Sequence, residues 1–283
     1  MVQLVLPSFD AAIPRTKDEQ YDYIVIAVKA LPGTVSTIIH GIKLLVVSGS
    51  TVIVLLQNGL GIEQPFAEQF PNTPILSGVS MIGSRLTGQN SVYHEDPDVL
   101  KIGAYFHHDD DHAAHEVQLQ AAKDFTALYG AGLRDGLNSH ARCILVPDIA
   151  AARWRKLLYN STFNVICTLL RISVGELLSS PYGRDRLLEP AMREISLVGT
   201  AAGYGDVVDE AAIQETLNGT SESSLFRPSM LVDLEAGRPL ELSAILGAPL
   251  SVARELNVQT PLLSRLYDLL SVIQWTLEVG SPR

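Results

Sequence analysis

The sequence predicts an α/β N-terminal half, built on an incomplete parallel sheet, joined near residue 147 to an all-α C-terminal half. Three observations carry this. Short runs that are apolar on both faces alternate with helical stretches up to about residue 80, the pattern of buried parallel strands with crossover helices. Beyond Asp148 strand patterning all but stops, and helical stretches follow one another between glycines and prolines. At 283 residues the chain can form two domains of ordinary size, each with its own core.

Taken in order, residues 1 to 20 are irregular, with two prolines and a charged stretch ending KDEQ. Tyr23 to Val28 reads as a buried strand, and Thr34 to Ile42 as a helix. TVIVLLQNG is a second apolar strand, GIEQPFAEQF a short helix and TPILSGVSMIG a third strand. That alternation is the signature of a doubly wound sheet. NSVYHEDPDVLKIGAY reads as two short strands around a proline turn, added antiparallel. HHDDDHAAHE reads as a charged loop, followed by a helix at about 114 to 129 and a short strand near Cys143 to Val146.

In the second half, IAAARWRKLLYNSTFNVICTLL reads as one long helix. RDRLLEPAMREISLVGTAAG, DEAAIQETLNG, the stretch near SMLVDLEAG, ELSAILGAPLSVARELN and LLSRLYDLLSVIQWTLE supply the rest. The division expected is therefore residues 1–147 and 148–283.

Composition excludes several classes of function. Hydrophobic residues make up 47% and charged residues 18%, the balance of a packed globular chain rather than a disordered one. A net charge of −10 argues against nucleic acid or an anionic membrane surface as partner. No apolar run reaches the ~18 residues of a membrane span. The N-terminus lacks the basic and long apolar regions of a signal peptide. The two cysteines, Cys143 and Cys167, form no CxxC pair and no disulfide framework. Together these point to reduced thiols and a cytoplasmic location. The histidines and aspartates of HHDDDHAAHE, including His107, His108, His112 and His115, crowd one polar run without ordered ligand spacing. They are read as a solvated surface, and no metal site is expected.

Polar residues on otherwise apolar helices are the informative signal. Lys156, Asn160 and Asn164 recur at every fourth residue, one stripe over two helical turns, among Leu157, Leu158, Phe163, Val165 and Ile166. An ammonium with two carboxamides is costly to bury unless something occupies the site. The stripe reads either as a substrate pocket, with the lysine as acid, or as a polar seam against a neighbouring helix. Ser229 either contacts a ligand or caps a helix opening at Met230. Asp233 reads as an exposed helix residue, and Glu241 heads a helix where the dipole favours a carboxylate. Gln57-Asn58-Gly59-Leu60-Gly61 and Lys29 lie at the carboxyl ends of strands, where open α/β sheets bind ligands. Asn and Gly are also ordinary turn formers.

IVIAVKA, VLLQNGLGIEQP, RWRKLLYNSTFN, RPSMLVDLEAGRPLELSAILG and VQTP occur in that order and at spacings that resemble the ketopantoate reductase family. The resemblance implies an NADP-binding Rossmann domain, a helical domain for substrate binding and dimerisation, and reduction of 2-dehydropantoate to pantoate or of a related carbonyl compound. It implies Lys156 as the catalytic acid, with Asn160, Asn164 and Ser229 holding substrate. Lys29, Asn58 and Glu241 would lie around the nicotinamide. The partner implied is a small carbonyl compound, and a homodimer is a candidate assembly.

The family's opening strand and GxGxxG turn have no counterpart, since GxGxxG occurs nowhere in the sequence. That turn seats the pyrophosphate on a helix N-terminus, so NADP is expected to bind weakly or not at all. The same departure leaves open a cofactor-independent cyclase, isomerase or lyase on this scaffold, or a scaffold without activity.

Overall fold

A computed structural model describes residues 6, 8–14, 16, 20–88, 91–94, 97–106, 112–133 and 141–280. The chain divides into two compact units. One holds residues 1–57 and 62–149; the other holds Asn58–Gly61 with residues 150–283.

The first unit is the α/β one. Its strands are β1 (Tyr23–Ile26), β2 (Val52–Leu55), β3 (Ile75–Ser80), β4 (Ser84–Leu86), β5 (Val92–His94), β6 (Val99–Ala104) and β7 (Arg142–Leu145). Its helices are α1 (Thr34–Ile42), α2 (Gln64–Gln69) and α3 (His112–Leu133). The main sheet has the order β1-β2-β3-β6-β7. The first three strands are parallel, β6 runs antiparallel to β3, and β7 is parallel to β6. Ile53, Val54 and Leu55 are fully buried, as expected of a strand covered on both faces. Val54 packs with Leu76, Leu100 and Ile102 against Ala121, Ala122 and Phe125 of α3. By the two-residue period Ile53 and Leu55 point to the other face. The crossover helices α1 and α2 bury Ile38, Ile42, Phe66 and Ala67.

Two expectations for this unit need correction, and one between them holds. The run at Tyr23 reads as a buried strand, yet β1 is the outermost strand of the described sheet and Val25 on it is exposed. Apolar character alone does not separate a central strand from an edge. NSVYHEDPDVLKIGAY does form two strands, each added antiparallel: β5 pairs with β4, and β6 joins the main sheet beside β3. HHDDDHAAHE is not all loop, because α3 starts at His112; His107 and His108 lie outside the described residues. Among the described residues no cluster of three metal-ligating side chains occurs, and no helix is long and apolar enough to cross a membrane.

The second unit is helical: α4 (Ile149–Tyr159, its first residue counted with the first unit), α5 (Val165–Leu170), α6 (Val174–Ser179), α7 (Glu189–Ala201), α8 (Glu210–Asn218), α9 (Ser229–Glu235), α10 (Ala248–Glu255) and α11 (Pro261–Gly280). One cluster forms its core, with Trp154, Leu158, Phe163, Ile166, Met192, Ile195, Leu231, Ile245 and Leu263 among its buried members. The short α6 buries Val174, Leu177 and Leu178 on one face. It is set by a capping box, in which Ser173 Oγ accepts from the Glu176 amide and the Glu176 carboxylate accepts from the Ser173 amide.

The expected long helix from 149 to 170 is interrupted. Asn160–Asn164 forms a π turn between α4 and α5, and further π turns precede α7 (Arg184–Leu188) and α10 (Ser243–Gly247). Proline explains the latter two, since Pro190 and Pro249 each stand two residues after the turn. Proline has no N–H and crowds the carbonyl four residues back. At Ser243–Gly247 the Ala248 amide reaches back to Ser243 O, five residues earlier. Neither the Ala244 nor the Ile245 carbonyl can then find its usual helical donor, because that donor would be the diverted Ala248 amide or the missing amide of Pro249. Both carbonyls are instead taken by groups from elsewhere in the chain.

Candidate active site

The Ser243–Gly247 π turn organises the site. Ser161 Oγ donates to the Ile245 carbonyl at 2.7 Å, both groups buried. The Leu60 amide donates to the Ala244 carbonyl at 3.0 Å. One irregular turn therefore ties down the helix carrying Lys156 and the Asn58–Gly61 loop. The loop conformation depends on glycine: Gly59 has φ +93° and Gly61 has φ +70°. A Cβ on Gly59 would also overlap the Ala244 carbonyl, so the close approach and the left-handed backbone both require glycine.

Lys156 lies near the end of α4, in a partly buried position. Its Nζ donates to Asn58 Oδ1 at 2.8 Å. Burial first, and then the Arg153 guanidinium, push the Lys156 pKa down to about 8, with the Glu241 carboxylate acting in the opposite direction. Arg153 is itself buried, and its guanidinium donates to the Gly59 carbonyl at 3.0 Å.

Asn160 and Asn164 are buried. On an α-helix, steps of four residues overshoot each turn, so the stripe would drift by about 40° per step. The wider i→i+5 turn holds more residues. Over Asn160–Asn164 it makes four residues fall short of a full turn, swinging Asn164 back toward the line of Lys156. Thr162 Oγ1 and Thr168 Oγ1 donate to the Leu158 and Asn164 carbonyls within the same helical stretch, the local competition by which hydroxyls perturb helices. Glu241 is buried immediately before the helical residues, and its carbonyl accepts from the Ile245 amide.

The structure thus brings Lys156 and Asn58 into contact, places Glu241 within electrostatic reach and keeps both asparagines on the same helical segment. Ser229 is exposed and opens α9 itself; the N-cap is Pro228 and no side chain caps the helix, so the capping reading of Ser229 does not hold. Asp233 is not an exposed helix residue. It is buried and pairs with Arg238 at 3.0 Å. Lys29 belongs to the first unit. Sequence reasoning missed Arg153 and Ser161: both lie within the RWRKLLYNSTFN segment, but their partners are distant in the sequence.

The chain is similar to known proteins along most of its length. The family model described as ketopantoate reductase PanE/ApbA matches residues 4–106, and the model of its C-terminal part matches residues 148–274. An uncharacterised protein of Saccharomyces cerevisiae is 32% identical over 97% of this chain and 78% of its own length. A 2-dehydropantoate 2-reductase of a Nostoc species is 29% identical over 97% of this chain and 81% of its own. Among solved structures, the 2-dehydropantoate 2-reductase from Methylococcus capsulatus superposes with a TM-score of 0.77 at 25% identity, covering 98% of this chain and 79% of that one. Two family models spanning both units, with a relative above 30% identity, show that the chain belongs to the ketopantoate reductase family.

Proposed function

We propose that this protein is an oxidoreductase that reduces the carbonyl of a small 2-keto acid, with 2-dehydropantoate as the first substrate to try and NADPH as reductant. The observation that carries the reading is the Lys156–Asn58 contact, a partly buried ammonium held by a carboxamide with its pKa lowered to about 8. A reduced nicotinamide, when bound, supplies the hydride. The protein's part is to meet the negative charge that develops on the carbonyl oxygen and to deliver a proton there. Lys156 supplies both charge and proton, and Asn58 fixes the direction of its ammonium. Asn160, Asn164 and Ser229 are proposed substrate contacts.

The fit to NADP is partial. Asn58 and Glu241, beside Lys156, suit the nicotinamide end, and Lys29 is proposed as a further contact. None of the described strand-to-helix turns carries the pyrophosphate cradle: the turn from β1 to α1 passes through Leu31, Pro32 and Gly33, and the one from β2 to α2 through Gln57–Glu63. A homodimer and a cytoplasmic location are also proposals. The test is nicotinamide oxidation by the purified chain with a panel of 2-keto acids, 2-dehydropantoate among them. Turnover with one of them supports the reading, and none with any at saturating NADPH refutes it.

A further inference from the structure

Arg153 and Lys156 stand three residues apart on α4, so they share a face of the helix. They grip successive residues of one loop: Lys156 donates to the Asn58 side chain at 2.8 Å, and Arg153 donates to the Gly59 carbonyl at 3.0 Å. The Leu60 amide is held in turn by the Ala244 carbonyl. Three consecutive loop residues are thus pinned, and the middle one by a buried guanidinium. A cation placed beside a second, partly buried cation is unfavourable in itself, so this pairing calls for a role that offsets it. A neutral donor would hold a carbonyl without the repulsion.

We infer that Arg153 is a positioning residue for the Lys156 site: by holding the Gly59 carbonyl it fixes where the Asn58 carboxamide meets the Lys156 ammonium. Its charge has a second effect on the same site. Among the groups that act on Lys156 are Arg153 on its own helix, Glu241 from the segment before the Ser243–Gly247 turn, and the neutral Asn58. Arg153 opposes Glu241 and keeps the ammonium ready to release its proton. As a contribution to catalysis this rests on the reductase reading; the grip on the loop and the effect on Lys156 do not.

The test compares Arg153→Met and Arg153→Lys with the unaltered protein, using two readouts that need neither NADPH nor a keto acid. Acetylation of Lys156 by acetic anhydride across a pH series, read by peptide mass spectrometry, reports the titration of the amine. Hydrogen exchange at the Leu60 amide reports docking of the loop. Arg153→Met is expected to raise the Lys156 midpoint above about 8 and to speed Leu60 exchange tenfold or more. Arg153→Lys, which keeps the charge but not the planar fork, is expected to leave the midpoint in place and speed exchange to a smaller extent. A folded Arg153→Met protein with both readouts unchanged would overturn the inference. If that variant does not fold, Arg153→Lys decides alone: unchanged midpoint with faster exchange supports the inference, and unchanged exchange overturns it. Failure of the keto-acid assay leaves both readouts standing, so the two proposals fail separately.

Discussion

Lys156 Nζ and Asn58 Oδ1 meet at 2.8 Å although 98 positions separate them in the sequence. The contact brings the loop after β2 onto the polar stripe of α4. Its supports include the glycine conformations at Gly59 and Gly61, the Arg153 guanidinium on the Gly59 carbonyl, and two carbonyls left without helical donors before Pro249.

Those carbonyls give the first prediction. Ser161→Ala removes the donor to a buried Ile245 carbonyl and should cost about 1–3 kcal/mol, the usual penalty for an unsatisfied buried group. Pro249→Ala returns the missing N–H. In that background Ser161→Ala should cost much less, because the amide restored at position 249 can serve the carbonyl. Urea unfolding of the two single variants and the double variant measures the coupling. Additive costs would show that Pro249 does not create the opening that Ser161 fills.

Gly59→Ala should disrupt the loop. The new methyl would overlap the Ala244 carbonyl, and φ at this position is +93°. Backbone strain alone costs of order 1–3 kcal/mol. The expected result is lower stability together with a Lys156 midpoint raised as water reaches the amine, since burial is the largest cause of its lowering. Equal stability and an unmoved midpoint would show that the loop tolerates the side chain.

The lowered Lys156 pKa has a consequence for stability. Burial disfavours the charged amine in the folded state, whose pKa is about 8, while the unfolded chain keeps the ordinary value of 10.5. Between those values the unfolded state binds more protons, so this group's contribution to stability rises with pH. The penalty is fully present below about pH 8 and is relieved as pH climbs toward 10.5. At about 1.4 kcal/mol per pKa unit the whole effect is at most about 3.5 kcal/mol, and solvent access reduces it. The stability of Lys156→Met relative to the unaltered protein should therefore be most favourable at about pH 7 and decline toward about pH 10. A difference independent of pH would mean that the amine is not perturbed.

NADPH should bind the 283-residue chain weakly. GxGxxG is absent from the sequence and none of the described strand-to-helix turns replaces it, which removes the backbone amides that ordinarily hold the pyrophosphate. Titration calorimetry should give a dissociation constant well above the micromolar range. A low-micromolar value would mean that other residues supply the anchor.

Much of this arrangement was legible in the sequence, and the exceptions share a cause. Periodicity marked the helix at Thr34–Ile42 and the strands at Val52 and Ile75, because burial on one or both faces imprints the pattern directly. It marked Lys156, Asn160 and Asn164 as out of place on an apolar helix, and the family resemblance singled out Asn58 and Glu241. It could not show that Asn160–Asn164 unwinds into a π turn, since a straight 3.6-residue count assumes the geometry being tested. Arg153 was missed because its partner, the Gly59 carbonyl, lies 94 positions away and is fixed by tertiary packing; Asp233 was misread although its partner Arg238 stands only five residues on, because the helix pattern does not show that the chain turns back there. The edge position of β1 is likewise a matter of neighbours rather than composition.

The central claim is that Lys156 gives its proton and its charge to a substrate carbonyl. It is tested by the turnover of Lys156→Met, which deletes the ammonium and keeps most of the side-chain volume. Keto-acid reduction would be followed at NADPH concentrations raised until the rate stops climbing, over a pH series. The account predicts a loss of about 10²–10⁴-fold, the scale of a lost general acid, in a protein that still unfolds cooperatively. It also predicts that the unaltered protein's rate falls as pH rises through about 8, with that limb absent from the variant. Wild-type turnover in folded Lys156→Met, or an alkaline limb that survives the substitution, would contradict it.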